Sequence, residues 1–343
     1  MFRQLPTNDK HINLKALKQK NGVIKQNTGA SLIDLGDGVL CLEFHSKSNA
    51  IGLDIIQMVQ VALEELEKHY VGLVIGNQGK NFCVGANLAM MLMEAQDDNY
   101  FELEMVVRQF QNMTMNIKYA PKPVVIAPFN MTLGGGAEVA LVADAIQASI
   151  ETYMGLVEFG VGLIPGGGGT KELYLKQLRH LPIGVPLNLS AIANDVFEKV
   201  AMAKVSTSAA EARDLGYLNQ HDRISINPDH LLYDAKQNVL ALAQSGYQVL
   251  KREKIPVVGD AGYAAMLFGA KSLKYGGYAS AHDVKIAEKL AFVLSGGRVR
   301  EGTSIDEQVM LDLEREAFLS LIGEPLTQAR MQHMLVKGKP LRN

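Results

Sequence analysis

The 343-residue sequence has no tryptophan, only two cysteines and almost no net charge. Each scarcity excludes something. Cys41 and Cys83 lie in apolar, strand-like runs and form neither a disulfide framework nor a metal-ligand spacing. Such thiols suit a reducing compartment, where buried cysteine behaves as a small hydrophobe. A formal charge of −2 supplies no global field to attract nucleic acid or an anionic lipid surface. No stretch reaches the ~18 consecutive apolar residues of a membrane span. The N-terminus, Met1-Phe2-Arg3-Gln4-Leu5-Pro6, lacks the apolar core of a signal peptide. The cytoplasm is therefore the expected location, with no metal and no cofactor in the chain. Against 20% charged residues stand 48% hydrophobic ones, enough for a sizeable core. At this length, two average domains or one large α/β domain with extensions would both fit.

Residues 1–30 are polar and rich in lysine (Lys10, Lys15, Lys18, Lys20, Lys25) and read as a basic extension or linker with a solvated face. Order is expected from Ser31. Val39 to Phe44 reads as a strand, and Gly52 to His69 as an amphipathic helix with Ile55, Ile56, Val59, Leu63 and Leu66 on one face. Val71 to Gly76 is a wholly apolar strand of the kind buried on both faces. A long helical region from Asn87 to Ile117 follows, and Pro121 and Pro123 introduce a third strand at Val124–Ala127. Strands alternating with helices predict an α/β class with mostly parallel pairing, these three strands being neighbours. Beyond Lys171 the chain is mainly helical, with a short apolar element at Ala203–Ser206 and a good helix from Ala281 to Leu294.

Two glutamates about twenty residues apart are the most informative feature. Glu138 lies in Leu133-Gly134-Gly135-Gly136-Ala137-Glu138, and Glu158 in Gly155-Leu156-Val157-Glu158-Phe159-Gly160, just before Ile164-Pro165-Gly166-Gly167-Gly168-Gly169-Thr170. Glycines let backbone approach a ligand closely, because no Cβ intervenes. Two carboxyl groups are what proton transfer needs, one to give a proton and one to take it. Their neighbours (Val139, Ala140, Leu141; Leu156, Val157, Phe159) are apolar, so burial should raise at least one proton affinity. Plain surface charge is the bland alternative, but a solvated glutamate has no use for surrounding glycines.

Two look-alikes fail on detail. Gly166 to Lys171 resembles a phosphate-binding loop, yet places Thr before Lys and lacks the four-residue gap between glycines. Gly134-Gly135-Gly136-Ala137-Glu138 follows a strand as a dinucleotide fingerprint would, with Glu158 near the position of a ribose-binding acid. Val139, however, replaces the third glycine, and the five residues between Ala127 and Leu133 do not fit a tight turn.

Five ordered segments carry a family resemblance: Lys47-Ser48-Asn49-Ala50-Ile51, Asn81-Phe82-Cys83-Val84-Gly85-Ala86-Asn87, Leu133–Glu138, Gly155–Thr170, and Ser208–Tyr217. Over roughly Gly29 to Gly246, and again near the C-terminus, the sequence resembles the enoyl-CoA hydratase/isomerase (crotonase) superfamily. More narrowly, it resembles the hydratase half of fused bacterial 3-hydroxyacyl-CoA dehydrogenases of fatty-acid β-oxidation, in which the dehydrogenase half precedes this region.

The resemblance implies a crotonase-like ββα spiral core over 31–250 and a mainly helical C-terminal region over 251–343. The latter includes an insertion, 251–303, expected as a surface excursion. It implies enoyl-CoA hydratase activity, with an isomerase, a thioester hydrolase or a non-catalytic dehydrogenase partner as alternatives. The implied catalytic groups are Glu138 and Glu158, with the backbone amides of Ala86 and Gly135 stabilising the thioester oxyanion. Glu138 is assigned as base and Glu158 as acid, an assignment the residues alone leave open. Lys47, Ala50, Gly85 and Gly134 are the expected substrate-binding positions, Lys47 as a contact to a CoA phosphate. Family hydratases usually carry Asp where this chain has Asn87; the expected role is capping the following helix, which Asn also serves. Coenzyme A enters only as part of the substrate. Expected partners are an acyl-CoA, a possible dehydrogenase, and further copies in a trimer or hexamer, packed through C-terminal helices whose Phe318, Leu321 and Met334 would otherwise expose apolar surface.

Overall fold

The structure is a computed structural model that describes residues 10–179 and 188–343. Its centre is a seven-stranded sheet in the order β1 (Lys25–Gln26), β2 (Ala30–Asp34), β3 (Val39–Phe44), β4 (Gly72–Ile75), β5 (Val124–Ile126), β7 (Ala145–Ser149) and β9 (Arg223–Ser225). The first three are antiparallel and the rest pair in parallel. The three strands expected as parallel neighbours are β3, β4 and β5.

Their unbroken apolar runs follow from two covered faces. Leu40, Leu42, Leu73, Ile75, Val124 and Ile126 face the main core. The alternate residues Val39, Cys41, Val74 and Val125 face a second core beneath α9 (Leu231–Gln244) and α1 (Leu14–Asn21). Leu14 of α1 is 1% exposed within that second core. Residues 14–30 are therefore part of the fold, not the tether expected for 1–30; residues 1–9 lie outside the described residues.

On the main-core side, α2 (Leu53–His69) buries Ile55, Met58, Val59, Ala62 and Leu66. The helical region expected from Asn87 to Ile117 is two helices, α3 (Leu88–Gln96) and α4 (Tyr100–Lys118), split where Asp98 adopts φ 57°. A second, two-stranded parallel sheet of β6 (Asn130–Leu133) and β8 (Thr152–Gly155) occupies the residues that did not fit a tight strand-to-helix turn. The buried helix α5 (Gly135–Leu141) follows β6 directly. Then come α6 (Gly169–Arg179), α7 (Leu189–Ala201) and α8 (Ala209–Asp214). The apolar element expected at Ala203–Ser206 is neither helix nor strand: Ala203 ends a turn and the Ser206 N–H donates to the Met154 carbonyl.

The segment 251–303 departs from expectation. It holds β10 (Ile255–Pro256), which pairs with β11 (Ser304–Ile305), then α10 (Gly259–Tyr275) and α11 (Ala281–Leu294). Ile286, Leu290, Ala291, Val293 and Leu294 of α11 join the main core, so this is no surface excursion. A Ser280–Asp283 capping box starts α11 where the sequence placed it. The chain closes with α12 (Glu307–Ile322) and α13 (Pro325–Lys337). Phe318 and Leu321 are buried within the chain itself, and Met334 is half-buried. Of the apolar surface expected to require a second subunit, Phe318 and Leu321 are thus covered by the same chain, whereas Leu335 and Val336 beside Met334 stay exposed.

Candidate active site

Four chain segments lie side by side and bring the glycine-rich motifs together. Gly134 N–H donates to the Gly155 carbonyl (2.9 Å) at the ends of β6 and β8. The turn at Cys83–Ala86 adds to the edge of β6, with Cys83 bridging Thr132 and Leu133 N–H donating to the Cys83 carbonyl (2.9 Å). Ile51 extends the array. It bridges Ala86, donates to the Gly85 carbonyl (2.9 Å) and accepts from Asn87 N–H (3.0 Å).

The close approach depends on two glycines in left-handed backbone, Gly85 (φ 113°) and Gly134 (φ 53°). A Cβ on Gly85 would stand 3.6 Å from the Gly135 nitrogen, and one on Gly135 would stand 3.4 Å from the Ala86 nitrogen. The amides of Ala86 and Gly135 are therefore neighbours. Neither donates to a backbone carbonyl among the described residues. Phe110 of α4 and Ile51 wall this spot, at 3.3 and 3.5 Å from the same Gly135 position.

Glu138 projects from α5 and is 3% exposed. Its Oε1 accepts the N–H groups of Gly167 (2.8 Å) and Gly169 (2.9 Å), at the start of α6. Burial pushes its carboxyl up to about 7, and these two hydrogen bonds hold it from rising further. Glu158 opens a single-turn helix (Glu158–Val161) after β8. Its Oε1 lies 3.2 Å from where a Cβ on Gly134 would be, which sets it beside the Gly134–Gly135 turn. Its Oε2 is closed off from solvent and finds no partner among the described residues. Burial first, then the Glu138 charge, raises this carboxyl well above the ordinary range. The two groups titrate as an interacting pair, and of the two Glu138 is the better supported as an anion.

Of the positions singled out in the sequence, Ala86, Gly135, Gly85, Gly134, Glu138 and Glu158 converge here. Lys47 and Ala50 do not reach the carboxyl pair. Lys47 is exposed in a short turn, and Ala50 is the half-buried residue before Ile51. Asn87 caps α3, its side chain accepting Met90 N–H (3.2 Å) as expected. Beyond Asn87, a cleft of about 540 Å³ runs between α2, α3 and α4, lined by Leu53, Met90, Phe101, Met105 and Val106 among others.

Sequence reading missed three components. One is Phe110, an unremarked apolar residue of a long helix. Another is the Gly167 and Gly169 amide pair, although the glycine run itself was visible. The last is Glu314 of α12, completely buried, whose Oε1 accepts Thr170 N–H (2.8 Å) and Lys171 N–H (3.3 Å) on the same turn that serves Glu138. Nothing local marks it; it is 144 residues from Thr170.

Comparison with known proteins finds relatives of one kind. Residues 34–182 match the enoyl-CoA hydratase/isomerase family. A Bacillus subtilis protein named "Probable 3-hydroxyacyl-CoA dehydrogenase" is 61% identical over the whole of this chain and 43% of its own length. A Bos taurus enoyl-CoA hydratase domain-containing protein is 34% identical over 37% of this chain and 43% of its own. The chain spans about two-fifths of the length of the curated relatives it matches. Among solved structures, an enoyl-CoA hydratase from Bacillus halodurans superposes with a TM-score of 0.59 at 18% identity, covering 88% of this chain and 98% of that one. Another enoyl-CoA hydratase/isomerase, from Xanthobacter autotrophicus, gives 0.58 at 16%, covering 92% and 95%. At such identities these likenesses speak for the fold. With the family match over 34–182 and the shared fold, the chain contains an enoyl-CoA hydratase/isomerase (crotonase) family domain.

Proposed function

We propose that this chain hydrates trans-2-enoyl-CoA thioesters in fatty-acid β-oxidation. The observation that carries the reading is the pair of carboxyl groups, Glu138 and Glu158, both with raised proton affinity, beside two amides that donate to no backbone carbonyl among the described residues. The environments support one division of roles. Glu138, stabilised by two N–H donors, is the better base and removes a proton from water. Glu158, without a donor on Oε2, holds a proton and is the acid. The water oxygen bonds to C3 of the enoyl group as the conjugated double bond gives way. Negative charge gathers on the thioester oxygen, and Glu158 delivers its proton to C2. Ala86 and Gly135 N–H groups stabilise that oxygen, each worth about 3 kcal/mol in comparable sites.

Gly85 and Gly134 allow the thioester to approach, while Lys47 and Ala50 border the CoA moiety, Lys47 meeting a phosphate. The apolar cleft beside α3 takes the acyl chain. In a longer protein like the Bacillus subtilis relative, the 3-hydroxyacyl-CoA product would pass to a dehydrogenase. Loss of the conjugated-thioester absorbance of crotonyl-CoA and of a long-chain enoyl-CoA tests the activity. Turnover of either to 3-hydroxyacyl-CoA is expected; only migration of the double bond, or thioester cleavage, would replace hydration with one of the other family reactions.

A further inference from the structure

Glu314 lies outside the segment matched to the family, yet it reaches the same helix terminus as Glu138. The first turn of α6 and the loop just before it offer four amides to two buried glutamates. Gly167 and Gly169 donate to Glu138, while Thr170 and Lys171 donate to Glu314. We propose that Glu314 is a positioning residue of this site: as an uncharged acid it fastens the start of α6, so that the Gly169 amide stays aimed at Glu138. The proposal rests on the hydratase reading only for the purpose it gives Glu138.

The argument is geometric. Oε1 of Glu314 takes both hydrogen bonds, whereas Oε2 is sealed from solvent with no partner among the described residues. A charge spread over both oxygens would leave half of it unsupported in a dry interior, so Oε2 is the seat of the proton. The charged groups around Glu314 agree. Glu138 from α5 faces it across the turn, and Glu158 feels it too. The Lys171 ammonium from α6 is committed to Glu172 and Glu307. On its own helix, the neighbouring Arg315 turns away to Asp312 and Gln111. Burial and the Glu138 charge hold the Glu314 carboxyl up at about 8. The rest of the glycine loop is fixed independently, since Gln111 Nε2 donates to the Gly166 carbonyl and Thr114 Oγ1 to that of Gly167. Among the described residues, Glu314 is the acceptor of the Thr170 and Lys171 amides, while the Lys171 side chain is anchored separately on Glu172 and Glu307.

Carboxyl-carbon NMR titration of glutamate-labelled protein reads this without turnover, the Glu138 signal being assigned by its loss in Glu138→Gln. Glu314→Gln keeps an oxygen acceptor and an uncharged partner. The Glu138 midpoint should stay at the wild-type value while the titration near 8 disappears. Glu314→Ala removes the acceptor, and the Glu138 midpoint should rise by about one unit, a tenfold gain in proton affinity. If Glu314→Ala does not fold, the Gln variant decides alone. A shifted Glu138 midpoint in Glu314→Gln, or an unshifted one in a folded Glu314→Ala, overturns the proposal. An inactive wild type with the predicted titrations would instead count against hydration.

Discussion

At the scale of single residues, chemistry depends on which oxygens have donors. Glu138 carries both of its hydrogen bonds on Oε1, so its other oxygen is available to a water molecule. Replacing either Glu138 or Glu158 by Gln should lower hydration by at least ~100-fold while leaving enoyl-CoA binding intact, the scale of a lost general acid or base. Steady-state kinetics alongside a direct binding titration check both halves. The pH profile has a definite sign. A base must be ionised, so kcat/KM should climb as pH rises through about 7, where Glu138 loses its proton. An acid limb near the ordinary carboxylate value would contradict a buried base. Gly167 makes a steric prediction. A Cβ there would stand 2.2 Å from Cε1 of Phe110, so Gly167→Ala must displace the ring or the amide that serves Glu138. Overpacking of this kind costs about 1–3 kcal/mol, readable as a lowered unfolding free energy together with lost activity.

At the scale of elements, the C-terminal helices are bound to the catalytic core by buried charge. Lys118 of α4, Lys171 and Glu172 of α6, and Glu307 of α12 form a closed network, each side chain at most 4% exposed. Tyr119 also donates to Glu307 (2.5 Å). Removing one partner leaves an uncompensated charge, so Glu307→Gln should destabilise by about 3–5 kcal/mol. Helix α13 adds a second tie. Thr327 Oγ1 donates to the Gly162 carbonyl at the end of the Glu158 turn and accepts from His282 of α11.

These elements also set opposite pH dependences. Against the upward push of burial, Lys171 and Lys118 hold Glu307 down at about 2, so its stabilisation is present above ~4.5 and lost as pH falls towards 2. Glu314, raised to about 8, binds its proton more tightly when folded; its penalty is absent below ~4.5 and grows as pH rises to 8. Thermal unfolding across about pH 3 to 9 should therefore weaken at both ends, with Glu314→Gln flattening the alkaline side only.

At the scale of the molecule, what was legible in the sequence was what local pattern specifies. β3, β4 and β5 announced themselves because strands covered on both faces are apolar without a break. The glutamate pair was legible because glycines cluster where backbone must crowd. Long-range packing was not. The dockings of α1 under the sheet, of α11 into the core and of Glu314 onto α6 depend on residues far apart in the chain, and a short helix holding one buried leucine looks the same as a tether. The trimer or hexamer was expected from the family resemblance, and of the three apolar residues that argued for a second subunit Phe318 and Leu321 are covered by their own chain while Met334 is half-buried. The most direct measurement is turnover of trans-2-enoyl-CoA in deuterated water by the wild type, Glu138→Gln and Glu158→Gln, with the product analysed for its hydroxyl and its label. Hydration by this pair predicts a 3-hydroxyacyl-CoA with one deuterium at C2 from the wild type, and almost none from either variant. A wild type that yields no 3-hydroxyacyl-CoA, or a variant with near-normal turnover, would contradict it.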